Sequence, residues 1–143
     1  MKKLPIYFFS EDTNYQPKEK IKVRNWLHQV ILKEGYTLHT LNFIFCSDDY
    51  LLQINQDYLK HDTYTDIITF DNSTTEKEII SDIFISIDRV IDNAQKFKAS
   101  RRDELHRVMV HGILHLLGYG DKKTTEKILM TCKEDEYLEL RNF

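Results

Sequence analysis

Ser100-Arg101-Arg102-Asp103-Glu104-Leu105-His106-Arg107-Val108-Met109-Val110-His111-Gly112-Ile113-Leu114-His115-Leu116-Leu117-Gly118-Tyr119-Gly120-Asp121 is the stretch from which both fold and chemistry are read. Ser100, followed three residues on by Asp103, makes a capping-box-like start with Asp in place of the usual Glu. From Leu105 to Leu117 apolar residues cover nearly the whole helical circumference, the pattern of a buried central helix. Gly118 predicts its end, and Tyr119-Gly120 turn the chain back.

His111 and His115 interrupt the apolar wheel. Spaced i, i+4, they stack on one face about 6 Å apart, a separation at which one metal ion engages both rings. Asp121 arrives where a third ligand completes an open three-residue site. A lone histidine in an apolar helix is most often a hydrogen-bonded core residue. Two at ligand spacing, ahead of Gly-Tyr-Gly-Asp, favour a metal pair. His106 points about 140° away from His111 on the wheel and falls outside the set. His28, His39 and His61 have no such partners and read as ordinary surface or loop residues. Gly112 stands where HExxH metalloproteases carry their general-base Glu, which removes peptide hydrolysis by that mechanism.

Working outward, Leu4–Phe9 reads as a strand, and Pro17 sits near the start of a helix. That helix carries Ile21, Val23, Trp26, Leu27, Val30 and Ile31 and stops near Gly35. Leu38–Cys46 is a strand with Leu41, Phe43 and Phe45 alternating, and Ser47 caps a helix over Asp48–Tyr58. Ile67–Phe70 and Glu78–Ile87 are strands, separated by a polar loop over Asn72–Lys77; Asp88–Lys98 is helical. The order β-α-β-α-β-β-α, followed by two helices, argues for an α+β fold. It predicts a small mixed β-sheet of about four strands with helices packed on it, the buried central helix carrying the histidines.

The 143 residues suit one domain, read here as residues 1–143, and only 4 Gly and 2 Pro argue against an all-β sandwich. With 20 Lys+Arg against 23 Asp+Glu, the chain lacks the basic balance of a dedicated nucleic-acid clamp. Any nucleic-acid contact must then come from a local patch or from a partner. Cys46 and Cys132 lack CxxC spacing and read as free thiols, Cys132 as a buried inert one. The apolar start is too short for a signal peptide, and no window approaches the ~18–20 apolar residues of a membrane span. A cytoplasmic protein with no membrane partner is expected.

The block His111-Gly112-Ile113-Leu114-His115-Leu116-Leu117-Gly118-Tyr119 resembles the signature of the YbeY family. Ile54-Asn55 with Tyr64–Phe70, Ser81–Ser86, and Met130 with Glu134 resemble other family segments, collinear over most of the chain. The resemblance implies a single-strand-specific, metal-dependent endoribonuclease acting in 16S rRNA 3′-end maturation and ribosome quality control. It implies one Zn²⁺ on His111, His115 and Asp121, with other divalent metals compatible. A metal-activated water is the only catalytic group marked. Implied partners are single-stranded or ribosomal RNA and the ribosome or small-subunit assembly proteins.

Two departures matter. Asp121 replaces the family's third His, so the site is one unit less positive and its water less acidic; two His and one carboxylate also suit Fe(II). Leu59 stands where family members usually carry an Arg implicated in activity. Leu59 and the acidic balance both favour the alternative, a ribosome-assembly binding factor with a structural metal and no intrinsic cleavage. Lys60, Arg101, Arg102, Arg107, Lys122 and Lys123, the basic residues on or near the site segments, are the candidates for RNA contact, Lys60 being nearest to Leu59 and Lys122-Lys123 directly following the third ligand; against this stands a solvated face balanced by nearby acids, which for Arg101-Arg102 weighs at least as much. Thr65-Asp66 reads as a turn before a strand and Ser86 as a strand polar group. Tyr58, Tyr64 and Tyr119 are candidates for base stacking, though aromatics this near a core helix more often pack.

Overall fold

The structure, a computed structural model, describes residues 4–143. Its elements are β1 (Ile6–Ser10), α1 (Lys20–Lys33), β2 (Thr37–Cys46), α2 (Asp48–Leu59), β3 (Ile67–Asp71), β4 (Glu78–Ser86), α3 (Ile87–Lys96), α4 (Arg101–Leu116) and α5 (Thr124–Glu139). This is the α+β order expected from the sequence. The sheet runs β1-β2-β4-β3, with β1-β2 and β2-β4 parallel and only β3-β4 antiparallel.

Alternation along the strands sorts the residues onto two faces. Leu41, Phe43 and Phe45 of β2 and Ile79, Ile83 and Ile85 of β4 are buried in the main core, with Val23, Leu27 and Ile31 of α1 and Met109, Ile113 and Leu114 of α4. A smaller cluster of Cys46, Leu51 and Ile68 lies on the opposite face, where α2 contributes Leu51.

Two boundaries and one burial differ from the expectation. α1 starts at Lys20, behind a left-handed Glu19 (φ 56°), so Pro17 lies before the helix, and Ile21 points to solvent at 70% exposure. Ile87 belongs to α3 rather than to β4, because the Ser86 hydroxyl accepts the Arg89 N–H at 3.2 Å and caps a new helix. Ser86 is therefore more than a polar group on a strand; it also donates to Asp48 Oδ1 at 2.6 Å. Cys132 is exposed, which corrects its reading as a buried thiol, whereas Cys46 is buried and its thiol is pushed up to about 12, chiefly by burial.

Two glycines aim the central helix. A Cβ on Gly112 would lie 2.7 Å from Ile67 Cδ1 and 3.3 Å from Ile83, so its absence lets α4 press close to β3 and β4. A glutamate at position 112 would point into the sheet, away from the flanking His111. At the end of α4, Gly118 takes φ 101°. Its N–H reaches the His115 carbonyl and the Tyr119 N–H reaches the Leu114 carbonyl, both at 3.1 Å. This paired Schellman closure reverses the chain towards Asp121.

Candidate metal centre

His111 and His115 extend from the last turns of α4, and Asp121 returns from the following loop to meet them. Asp121 Oδ2 lies 3.0 Å from His115 Nε2 and 3.3 Å from His111 Nε2. One ligand atom from each residue can be chosen so that all lie within 4.8 Å of one another. Two imidazole nitrogens and a carboxylate oxygen facing one point are a donor set that fits a divalent transition metal.

The other ring nitrogen of His111 fixes its tautomer. Nδ1–H donates to Glu134 Oε2 at 2.6 Å, leaving the Nε2 lone pair for a metal. Glu134 is nearly buried, and its second oxygen accepts from Arg107 Nη1 at 2.8 Å. Arg107 Nη2 reaches Asp135 at 2.7 Å. Arg107, one of the basic candidates for RNA, is thus engaged in a clamp between α4 and α5. Burial pushes the His111 imidazole down, but the hydrogen bond and charge of Glu134, with Asp66 and Asp121, outweigh it and raise it above its ordinary value. Burial likewise pushes Asp121 up, yet His115 and His111 hold its carboxyl below the usual range. A cation binding here displaces protons from the imidazoles, so affinity falls as pH falls.

The loop that carries Asp121 is tied down by its neighbour. Tyr119 Oη donates to Glu34 Oε1 at 2.6 Å. Glu34 Oε2 also accepts from Tyr137 Oη, and from Lys133 Nζ at 3.3 Å. Tyr119 is therefore a packing and anchoring residue.

The three ligating groups open into a cleft of about 420 Å³. Its other wall comes from the end of α2, the following loop and β3, including Leu59, His61, Thr65, Asp66 and Ile67–Thr69. Thr65 and Asp66, read as a plain turn, face this cleft, and the Asp66 carbonyl accepts the Ser86 N–H at 2.9 Å. His61 lines it too. In the sequence only the family resemblance of Tyr64–Phe70 marked Thr65 and Asp66, and nothing marked His61; the antiparallel pairing of β3 beside α4 brings all three to the site. Tyr64 also lines the cleft, and its hydroxyl donates to Asp49 at 3.2 Å.

Lys60 and Lys122 are exposed next in sequence to cleft residues, and Lys123 is exposed one position further on. Arg101 and Arg102 are at the start of α4, about 15 Å along the axis from His111, and the structure does not bring them to the cleft. Arg102 bonds the Phe143 carbonyl and pairs with Asp103 at 3.5 Å and Glu19 at 4.0 Å. His106, 3% exposed, packs against Trp26 and Phe143, away from the ligand set.

Residues 8–142 match the Endoribonuclease YbeY family. The chain belongs to the YbeY family. It is 57% identical over its full length to an "Endoribonuclease YbeY" of Cytophaga hutchinsonii, covering all of that protein. It is 48% identical to one of Flavobacterium psychrophilum over 92% of this chain and 94% of that protein. The solution structure of TM1509 from Thermotoga maritima is similar at a TM-score of 0.64 and 28% identity, over 94% of this chain and 87% of that one. The YbeY segments quoted from the sequence fall on the site: the signature block on the end of α4, Thr65–Phe70 on the facing turn and β3, and Glu134 behind His111.

Proposed function

We propose that this YbeY-family chain, read as one domain over residues 1–143, is a metal-dependent endoribonuclease that cuts single-stranded RNA. The observation that carries the reading is the convergence of His111, His115 and Asp121 at a cleft mouth, with Glu134 orienting His111 from behind. His111, His115 and Asp121 would hold one divalent cation, and we take zinc as that ion. When bound, such a cation supplies Lewis acidity to a phosphoryl oxygen and makes water a stronger nucleophile near neutral pH.

The chain's own residues do the rest. Glu134 and Arg107 keep the His111 ring in register, and Tyr119 with Glu34 holds the loop of Asp121. β3 is an edge strand, and Ile67–Thr69 on the cleft wall present backbone to an extended single strand. Exposed Lys60, Lys122 and Lys123 flank the cleft as phosphate contacts. The pathway we infer is 16S rRNA 3′-end maturation and ribosome quality control in the cytoplasm, with the ribosome or small-subunit assembly proteins as partners. Among the described residues no helix is long and apolar enough to cross a membrane.

One observation favours a second reading, a ribosome-assembly binding factor whose metal is structural: Leu59 lines the cleft, and among the described residues no Lys or Arg does. A cleavage assay on single-stranded RNA, with chelation and with His111→Ala and Asp121→Ala, separates the two. Metal-dependent cutting lost in both variants supports the nuclease. Ribosome association without cutting by the clean protein supports the binding factor. Elemental analysis is expected to find near-stoichiometric zinc; zinc retained by Asp121→Ala would remove the carboxylate from the ligand set.

A further inference from the structure

A cleft that takes a polyanion carries two acids, Asp66 and Asp121, and among the described residues no lysine or arginine lines it. Apart from the two histidines of the metal set, His61 is the only lining side chain among the described residues able to carry positive charge. Its ring has no hydrogen-bond or ion-pair partner among the described residues, and it stands exposed. The loop beneath it is held firmly. Lys60 closes α2 in the left-handed region (φ 59°), and the Asn55 carbonyl accepts both the Lys60 N–H and, at 3.1 Å, the His61 N–H. Asn55, itself buried, donates from Nδ2 to the Thr63 carbonyl at 2.8 Å, and Gln56 Nε2 reaches Asp62 at 2.5 Å. A hydrogen-bonded loop that presents an unpartnered imidazole to a cation-poor cleft is the arrangement of a ligand contact.

We propose that His61 supplies a hydrogen bond to an RNA phosphate in this cleft. The inference rests on the RNA-cutting reading and names the residue that grips the substrate beside the metal. The groups facing the same space are Asp66, Asp121, His111, His115 and Tyr64, with Lys60 and Asp62 flanking His61 in the loop. A charge-assisted hydrogen bond to phosphate is worth roughly tenfold or more in affinity.

The test is fluorescence anisotropy of the zinc-loaded protein with a labelled, single-stranded 2′-O-methyl oligoribonucleotide. His61→Ala, and His61→Gln in case the first variant folds poorly, are expected to bind about tenfold more weakly than wild type. Zinc content should stay unchanged. Leu59 lines the same wall, so adding L59R to His61→Ala should restore affinity. The proposal is overturned if His61→Ala and His61→Gln bind like wild type, if they lose zinc, or if L59R recovers nothing. If wild type fails to cut RNA while the binding loss appears as described, the nuclease reading falls and the assignment of His61 stands.

Discussion

His106 and His111 sit on one helix, little more than a turn apart, and the molecule treats them in opposite ways. His106 is enclosed by Trp26 and Phe143, and its Nδ1 accepts a hydrogen bond from Arg141 Nη1 at 2.8 Å. Burial, reinforced by Arg141 and Arg102, drives its pKa down to about 4, so it is a neutral acceptor. His111 meets Glu134 instead, and its affinity for a proton rises. Both partners come from the C-terminal segment, Glu134 from α5 and Arg141 from just beyond it. The difference teaches that a histidine's role is set by the charge its Nδ1 meets, not by the helix that carries it. The start of α4 is a closed structural joint; its end is an open, ligand-ready one.

Deleting the open-end imidazole should have the largest effect. His111→Ala is expected to lose bound metal and to reduce RNA cutting by more than the ~100-fold that marks the upper range for loss of an orienting group. Metal content and a single-stranded RNA cleavage assay check this, and His106→Gln should pass both tests unchanged.

The closed end is broken by pH. A histidine whose folded pKa lies below its unfolded value stabilises the fold fully above about 6.5, and that share is lost as pH falls towards about 4. The loss due to His106 should be roughly 3 kcal/mol. Urea unfolding of wild type and His106→Gln at pH 7 and pH 4 measures it as the change in their stability difference. A constant difference would mean that Arg141 and the aromatic cage do not keep His106 neutral.

Removing the partner while keeping the ligand sharpens the comparison. Glu134→Gln retains an acceptor for Nδ1 but not the charge, and metal affinity is expected to fall about 10-fold, read by competition with a fluorescent chelator. Smallest of all should be Arg102→Ala at the closed end. Its guanidinium is engaged by Glu19, Asp103 and the Phe143 carbonyl, so RNA cutting should stay within about twofold of wild type, as for most exposed ion pairs.

Much of this was legible in the chain. The element order followed from period and punctuation: Leu41, Phe43 and Phe45 alternate, Ser47 and Ser100 cap, and Gly118 stops α4 where a left-handed residue is needed. The Ser100–Asp103 pair is only half a capping box, because the Asp103 carboxylate is held by Arg141 at 2.9 Å, a partner 38 residues away. The pairing of His111 with His115 was readable because helical spacing is local. His61, Thr65 and Asp66 were read as loop or turn residues because their importance comes from facing α4 across the cleft. Cys132 misled because an apolar thiol does not announce which side of α5 meets solvent.

What the amino-acid order determined alone was whatever depends on neighbours within a turn or two: the strands, the helix ends, and two imidazoles on one face. Which charge each histidine meets was decided only by tertiary packing, as were Gly112's pressure against Ile67 and the cleft wall opposite Asp121. Residues distant in sequence share no periodicity, and only the sheet order and the docking of α5 set them at bonding distance.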